Sequence, residues 1–348
     1  MAKSLVGVDF GSREIRAAEV TDLKKARPTL VRYGEIPLPP SSALRGEVVE
    51  VDTVASALRQ LWSKAGFKSK DVVLGVGNQR VLARDLTVPK MPLQQIRESL
   101  PFQVQDMLPV PVVDALLDFY PVSEGIADGV PVINGLLVAA VKEAVMGNVR
   151  AVQAAGLNPV EVDLIPFALS RALIASAATR ETVAMVDVGA VTTTVVVATG
   201  GVPQFVRIIP AGGDEVTAAL VSRLELAPPQ ADEVKRAFGL THSQISPEWG
   251  QAVEIVREVT LELLNSLRNT LNFYMNTRPT EPISRVVLSG GGAKLIGFSA
   301  ALGEMTRIQI APANPVERFT LAKTLGRSSF DPSATGMSVA LGLTLGGI

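Results

Sequence analysis

Residues 286–294 read Val286-Val287-Leu288-Ser289-Gly290-Gly291-Gly292-Ala293-Lys294, an apolar run followed by three glycines. The apolar run, rich in β-branched residues, predicts a buried strand. Three glycines let the backbone turn tightly and approach a flat or anionic ligand closely. Apolar residues at helical spacing over 295–305 predict a helix, so we expect the glycines at a helix N-terminus, where free N–H groups favour an anion. Such a turn is often only a connection, so its meaning depends on two other stretches.

Two further stretches share one pattern, Asp9-Phe10-Gly11-Ser12 and Asp187-Val188-Gly189-Ala190. In each, an apolar strand ends in Asp, and a glycine-bearing turn leads to a second strand, which predicts a β-hairpin. Successive N–H groups in such a turn form a concavity for phosphate. The carboxylate repels phosphate but holds Mg²⁺, usually through waters. Two facing hairpins would therefore clamp a polyphosphate with Mg²⁺ at Asp9 and Asp187, and the glycine turn would hold the nucleoside.

Composition restricts the class of protein. The 348 residues are 47% hydrophobic and 19% charged, which suits two domains or one large two-lobed domain. A net charge of −1 with scattered cations indicates no nucleic-acid partner. Cysteine is absent, which excludes disulfides and thiol catalysis. The single histidine, His242, lies in a polar stretch, which argues against histidine-based metal or triad chemistry.

The N-terminal residues and the apolar runs predict a cytoplasmic protein that does not insert into a membrane. Residues 1–4 lead directly into a predicted strand and lack the apolar core of a signal peptide. The longest apolar candidate, residues 130–141, is interrupted by Pro131, Asn134 and Gly135. No run reaches the length that a membrane-spanning helix needs.

The two hairpins and the glycine turn, in this order, resemble the actin-like ATPase superfamily. The chain is most similar to its PilM family of type IV pilus assembly proteins, relatives of FtsA. Residues 166–172, 212–217 and 264–268 add to the resemblance. It implies an α/β, ribonuclease H-like fold of two lobes with a small α/β insertion of the FtsA and PilM type, and ATP or ADP with Mg²⁺ as the ligand.

The resemblance also implies which residues contact the nucleotide. In the family a Lys or Glu on the helix after the Gly212-Gly213 loop reaches the ribose or base, and the candidates here are Asp232, Glu233, Lys235 and Arg236. Arg268 matches a position whose guanidinium packs against adenine. The full predicted set is Asp9, Gly11, Ser12, Arg13, Arg16, Asp187, Gly189, Ala190, Thr192, Gly212, Gly213, Lys235, Arg268, Gly290, Gly291 and Gly292.

The chain departs from the family pattern at three places. Arg13 and Glu14 replace small residues in the first turn, and Arg16 replaces a lysine, whose point charge differs from a forked guanidinium. Ile165 stands where enzymes of this superfamily place the carboxylate or amide that orients the attacking water. Asp163, two residues earlier on the same face of a predicted strand, is the candidate catalytic substitute. We therefore expect nucleotide binding with slow or negligible hydrolysis.

Predicted elements divide the chain into three units. Residues 1–88, 163–182 and 334–348 are assigned to a first lobe, residues 89–162 to the insertion, and residues 183–333 to a second lobe with a helical part over 212–277. Predicted helices cover residues 53–65, capped by Asp52, and 93–107, 142–155, 166–178, 215–224, 230–238, 248–277 and 334–345.

The resemblance implies a platform protein at the inner face of the cytoplasmic membrane. Its partner would be the short N-terminal tail of a PilN-type inner-membrane protein, bound in a groove between the insertion and the first lobe, with residues 81–88 and 93–107 as candidates. Nucleotide state would be coupled to assembly. Other platform proteins and motor components would be further partners, and a homo-oligomer is allowed.

Two other functions fit the same fold. An FtsA-like, filament-forming division or cytoskeletal ATPase would sediment with ATP, although FtsA carries a C-terminal amphipathic membrane helix that this sequence does not show. A small-molecule kinase would need a catalytic Asp and a substrate pocket, and Ile165 argues against it.

Overall fold

Two mixed β-sheets organise the chain in a computed structural model that describes residues 4–39, 41–174, 181–240, 249–323, 325 and 335–346. The first sheet has, in spatial order, β10 (Asn158–Leu164), β6 (Asp71–Val76), β1 (Leu5–Phe10), β2 (Glu14–Thr21), β3 (Thr29–Pro37) and β16 (Thr320–Leu321). The second has β13 (Val202–Ile209), β12 (Thr193–Thr199), β11 (Thr182–Val188), β14 (Ile283–Ser289) and β15 (Gln309–Pro312).

The two sheets repeat one pairing pattern. Strands β1, β2 and β3 form an antiparallel meander, and β1 pairs in parallel with β6. Strands β11, β12 and β13 repeat the meander, and β11 pairs in parallel with β14. Register places Asp9 opposite Arg16, and Asp187 between Thr194 and Ser289. The predicted two-lobed α/β fold is confirmed, with each Asp at the end of a central strand.

A third, three-stranded sheet forms the insertion, in the order β7 (Val81–Pro89), β9 (Val130–Val141) and β8 (Ala115–Ala127). Three assignments made from sequence are corrected by pairing between distant segments. Residues 81–88 of β7, expected in the first lobe, pair with β9, whereas residues 158–162 of β10, expected in the insertion, belong to a strand that pairs with β6. The strand β16, expected in the second lobe, pairs with β3. A short hairpin, β4 (Ala43–Leu44) and β5 (Glu47–Val48), occupies the predicted loop 38–50.

Nine α-helices are described in these residue ranges: α1 (Val51–Ala65), α2 (Leu93–Gln103), α3 (Lys142–Ala154), α4 (Ile165–Leu173), α5 (Gly213–Leu224), α6 (Pro228–Phe238), α7 (Gly250–Thr277), α8 (Phe298–Thr306) and α9 (Ser338–Leu343). The predicted cap Asp52 lies instead in the first turn of α1, because Glu50 is the last residue with extended backbone. His242 and predicted helical residues 175–178, 248 and 334 lie outside the described residues.

The glycine turn does not begin a long helix, contrary to the sequence prediction. Residues Gly292–Lys294 form a single 3₁₀ turn, and α8 starts only after Gly297, whose φ of 85° is left-handed. A left-handed residue interrupts helical geometry. The predicted contribution of a helix dipole at Gly290–Gly292 therefore reduces to that of one short turn.

Helices α4 and α9 cross between the two sheets. A Cβ atom on Gly342 of α9 would lie 1.9 Å from the carbonyl oxygen of Ala168 in α4, so only glycine permits this approach. Phe167, Val339 and Leu343 share one buried cluster with Val73 of the first sheet and Met185 of the second. The crossing thus holds both lobes in one core. None of the described helices is long and apolar enough to span a bilayer.

Candidate functional site

A cavity of about 620 Å³ lies between the two large sheets, at the ends of β1 and β11. It is bounded by both Asp-bearing hairpins, the glycine turn, the start of α5 and parts of α6 and α7. All but two of the predicted nucleotide and catalytic residues line it: Asp9, Gly11, Ser12, Arg13, Arg16, Asp187, Gly189, Ala190, Thr192, Gly212, Gly213, Lys235, Gly290, Gly291 and Gly292.

The two hairpin turns have the same geometry. The N–H of Gly11 donates to the carbonyl of Glu14 at 3.0 Å, and that of Gly189 donates to the carbonyl of Thr192 at 2.9 Å. A Cβ atom on Gly11 would lie 2.8 Å from the Glu14 oxygen, and one on Gly189 would lie 2.9 Å from the Thr192 oxygen. Each turn therefore needs glycine for the same reason, the close approach of the chain to itself.

The second turn is held by the segments around it. Gly213 donates to the Gly189 carbonyl at 3.0 Å, and Asp214 donates to the Ala190 carbonyl at 2.7 Å. A Cβ atom on Gly212 would lie 2.5 Å from the Ala190 oxygen. Gly290 has a φ of 90°, and its Cβ would lie 2.3 Å from the Val188 oxygen. The start of α5 and the glycine turn are thus packed against the backbone of the Asp187 hairpin.

The two aspartates interact across the cavity. Burial raises the pKa of Asp9 to about 6; the charge of Arg16 opposes this shift, and the nearby charge of Asp187 adds to it. Burial also raises the pKa of Asp187, opposed by a hydrogen bond from Ser289 and by the charge of Arg16. Two carboxylates in proximity, one buried and one half-buried, disfavour double ionisation, and a cation between them would relieve the repulsion.

Asp9 and Asp187 suit a Mg²⁺ ion that is held through its bound waters. Within the described ranges, no group of three or more His, Cys, Asp or Glu side chains could enclose a metal ion. Mg²⁺ commonly keeps several waters and takes one or two carboxylates together with the phosphate oxygens of its ligand. Asp9 and Asp187 supply that number, one from each lobe. They would hold the ion, which would neutralise phosphate charge in a bound nucleotide.

The raised pKa of Asp9 predicts a stability that falls with rising pH. The folded protein keeps a proton on Asp9 from about pH 4 to about pH 6, where the unfolded chain has lost it. Stability from this group is complete below the unfolded pKa and is lost as pH rises through the folded pKa, by ~3 kcal/mol in all. We expect Asp9→Asn to remove this loss and to be the more stable protein above pH 6.

Urea unfolding at about pH 4.5 and about pH 7 measures this difference. The matched control is Asp85→Asn, at a carboxylate with 69% side-chain exposure in β7, which should keep the pH dependence of the original chain. An Asp9→Asn protein with the same pH dependence as the original would contradict the prediction.

Arg16 lines the cavity, but its guanidinium is surrounded by carboxylates. Its Nη1 lies 3.7 Å from Asp9 Oδ2, its Nη2 pairs with Glu14, and its Nε lies 3.9 Å from Glu35 Oε2. That Nε is buried and has no hydrogen-bond partner in the described part of the chain. Arg16 therefore neutralises acids beneath the first turn, and Glu14, which could repel phosphate, is held by it.

Arg13 crosses the cavity from the first hairpin to the second lobe. Its Nη2 lies 2.6 Å from Asp214 Oδ1 on α5, and its Nη1 lies 3.4 Å from Asp232 Oδ2 on α6. Lys235 Nζ lies 2.7 Å from Asp232 Oδ1 and donates to Thr217 Oγ1 at 2.8 Å. Burial would raise the pKa of Asp232, but hydrogen bonds from Lys235 and Arg236 outweigh it and hold that pKa well below its usual range.

Comparison with known proteins identifies the family. The family model described as type IV pilus assembly protein PilM matches residues 7–348. The chain belongs to the PilM family. The solved PilM-PilN type IV pilus biogenesis complex is 28% identical, with a TM-score of 0.85 over 98% of this chain and 97% of that one. This membership favours pilus assembly over the division and kinase alternatives.

More distant relatives of this PilM-family chain share parts of the sequence or the fold. Cell division protein FtsA of Bacillus subtilis is 23% identical over 260 residues, 67% of this chain and 58% of that protein. FtsA of Borreliella burgdorferi is 26% identical over 214 residues, 57% of this chain and 50% of that protein. The chain thus matches only about half the length of these relatives. MreB5 of Spiroplasma citri bound to ADP, at 9% identity, a TM-score of 0.56 and 98% and 94% coverage, shows the shared actin-like fold.

Two predicted site residues of the PilM-family chain do not line the cavity. Asp163 pairs with Arg171 and accepts the N–H of Leu164 at 2.7 Å. The chain turns into α4 at Ile165, so the alternation that would put Asp163 and Ile165 on one face ends there, and Ile165 alone lines the cavity. Arg268 lies five residues beyond the lining residue Leu263, about 140° around α7.

Several lining residues were not predicted from sequence. Arg45 and Gly46 come from the β4–β5 hairpin, and Lys294 from the turn after the glycines. An apolar wall comes from α7, α8 and the turn before it, and consists of Val259, Leu263, Leu295 and Phe298. Arg-Gly is a weak turn signal compared with Asn-Gly or Asp-Gly, so the hairpin had no strong local indication.

Proposed function

We propose that this PilM-family protein binds ATP or ADP with Mg²⁺ in the cavity between its lobes. The observation that carries the proposal is that two hairpins with the same glycine turn face one cavity from opposite sheets, one bearing the buried Asp9 and the other the half-buried Asp187. The turns would supply N–H groups to the phosphates, and Asp9 and Asp187 would hold the ion through waters. The glycine turn and the apolar wall would receive the nucleoside.

Hydrolysis is proposed to be slow or negligible. A water that attacks the terminal phosphate needs a polar group to orient it. At the start of α4 the cavity is lined by Ile165, and Asp163 is engaged by Arg171. The nucleotide would therefore act by its presence, favouring one arrangement of the lobes, rather than by its turnover.

The proposed partner is the N-terminal cytoplasmic segment of a PilN-type inner-membrane protein, supported by the similarity to the PilM-PilN complex. Candidate surfaces remain β7, an edge strand of the small sheet, and α2, where Phe102 is 86% exposed. An edge strand and exposed apolar side chains suit an extended peptide. The partner would hold the protein at the inner face of the membrane, together with other platform and motor components, and self-association is compatible with this role.

Calorimetric titration tests binding and coupling together. Mg-ATP is titrated into the protein alone and into the protein saturated with a synthetic peptide of a PilN-type N-terminal tail. We expect the peptide to change ATP affinity by ~5–150-fold, and ATP to change peptide affinity by the same factor. Absence of ATP binding at millimolar concentration would refute the site, absence of peptide binding would refute the partner, and identical affinities would refute the coupling.

A further inference from the structure

The β4–β5 hairpin reaches the cavity with a strained tip. Its two turn residues, Arg45 and Gly46, have φ values of 53° and 80° and line the cavity. A two-residue hairpin turn with both residues left-handed is the I′ type, which glycine adopts freely. For a residue with a side chain the left-handed conformation costs ~1–2 kcal/mol, and it persists where the surroundings determine it.

The tip packs against the turn of the first hairpin and faces the second lobe. A Cβ atom on Gly46 would lie 3.1 Å from the carbonyl oxygen of Phe10. Burial raises the pKa of Glu215 on α5, and this shift is opposed by the hydrogen bond from the Gly212 N–H and, less strongly, by the positive charge of Arg45. Unlike Arg13 and Arg16, Arg45 forms no ion pair or side-chain hydrogen bond with any residue in the described ranges.

One side of the hairpin is bound to α3, the helix that follows the insertion. Asn148, only 1% exposed, accepts the N–H of Val48 at 2.9 Å and donates to the carbonyl of Gly46 at 3.0 Å. Both polar atoms of this buried amide therefore form hydrogen bonds with the hairpin. A Cβ atom on Gly147 would lie 3.1 Å from the Val48 oxygen, so α3 and the hairpin are in close contact.

The other side of the hairpin is bound to the residues that enter β7. Glu47 accepts from Asn78 Nδ2 through Oε1 at 2.9 Å and from Arg80 Nη1 through Oε2 at 2.9 Å. The carbonyl of Arg80 in turn accepts the N–H of Val141, the last residue of β9, at 3.0 Å. The same hairpin therefore contacts both chain segments that connect the small sheet to the first lobe.

We propose that Arg45 binds the terminal phosphate of the nucleotide and that the β4–β5 hairpin transmits this contact to the small sheet. The inference rests on the proposed function. The proposed nucleoside end of the cavity is the apolar wall of the second lobe, whereas Arg45 lines the cavity from the first lobe, on a hairpin tip whose Gly46 packs against Phe10. The phosphate that Arg45 meets is therefore the terminal one. A guanidinium matches phosphate oxygens in a bidentate manner. Arg45 thereby distinguishes a triphosphate from a diphosphate.

The test compares Mg-ADP with Mg-AMPPNP, a triphosphate analogue that resists hydrolysis, on the full chain. In calorimetry we expect Arg45→Gln to weaken AMPPNP binding by ~10-fold or more, the effect of losing a charge-assisted contact. The affinity for ADP should change less than about twofold. Arg150→Gln, at an exposed arginine of α3, is the control and should change neither affinity.

Hydrogen–deuterium exchange in β7 and β9 measures whether the hairpin transmits the phosphate contact to the small sheet. In the original chain we expect AMPPNP, but not ADP, to alter amide protection in these strands. With AMPPNP at saturating concentration, Asn148→Ala should abolish that difference, and Glu47→Gln, which preserves side-chain volume, provides the same test if Asn148→Ala does not fold.

The outcomes separate the two proposals. If the original chain binds neither nucleotide, the proposed function fails and this inference fails with it. If it binds both but Arg45→Gln weakens them equally or not at all, or if β7 and β9 still respond in the Asn148 and Glu47 variants, this inference alone is overturned.

Discussion

Asp187→Asn is expected to weaken Mg-nucleotide binding by ~10–100-fold, the loss typical of removing a group that orients a metal's ligands. The same change should leave the ligand-free protein at least as stable as the original. Burial raises the pKa of both Asp187 and Asp9, so ionised Asp187 is a cost to the empty fold. An amide oxygen can still accept the hydrogen bond that Ser289 donates, so the local geometry is kept.

Thermal unfolding with and without Mg-ADP measures both effects in one experiment. A ligand at 100 times its Kd stabilises the folded state by about 2.7 kcal/mol, and a 100-fold weaker variant at the same concentration gains only ~0.4 kcal/mol. Asp118→Asn, at a carboxylate of β8 with 54% side-chain exposure, is the control and should keep the full ligand shift. A normal Mg-ADP shift in Asp187→Asn would disprove the magnesium role of this residue.

Gly342→Ala is expected to destabilise the protein by ~3 kcal/mol, the upper part of the range for overpacking a core. The added methyl group would lie 1.9 Å from the Ala168 oxygen and 2.4 Å from its carbonyl carbon, so α9 and α4 would have to move apart. Because these helices share a core cluster with both sheets, the shift cannot be confined to one lobe.

Urea unfolding of matched glycine variants measures this cost. Gly250→Ala is the control, because a Cβ atom at the first residue of α7 has no neighbour within 4 Å among the residues that the structure describes. Alanine is favoured over glycine in a helix by ~1 kcal/mol, so this control should be neutral or more stable. If the two variants unfold at the same urea concentration, the α4–α9 crossing is not as close as described.

The residues of the candidate site were largely predictable, because the constraints on the turns are local. Gly11 is required by a carbonyl three residues away, and Gly189 by the corresponding one. The physical cause of the Asp-x-Gly pattern after an apolar strand therefore lies within a few residues of it, where a sequence analysis can detect it. Of the two misplaced residues, Asp163 was assigned by extending strand alternation past the start of α4, whereas Arg268 was assigned from the family resemblance alone.

Pairing between remote segments was not predictable from one sequence. Val81–Pro89 has the composition of a strand in either lobe, and only the presence of β9 beside it places it in the small sheet. Arg13 and Asp214 are separated by 201 positions, and nothing local indicates that they meet. The cavity position of Arg45 likewise depends on Asn148 and Glu47, whose hydrogen bonds hold the hairpin in place.

By itself the sequence determined the strand–turn–strand units, the glycines inside them and the carboxylates at their ends, since these depend on backbone geometry over a few residues. The tertiary structure decided that Asp9 and Asp187 share a cavity, that Arg13 crosses it and that Asp163 does not reach it. Those relations depend on how two sheets pack about α4 and α9, and packing depends on contacts between segments more than 150 residues apart, such as Gly342 against Ala168.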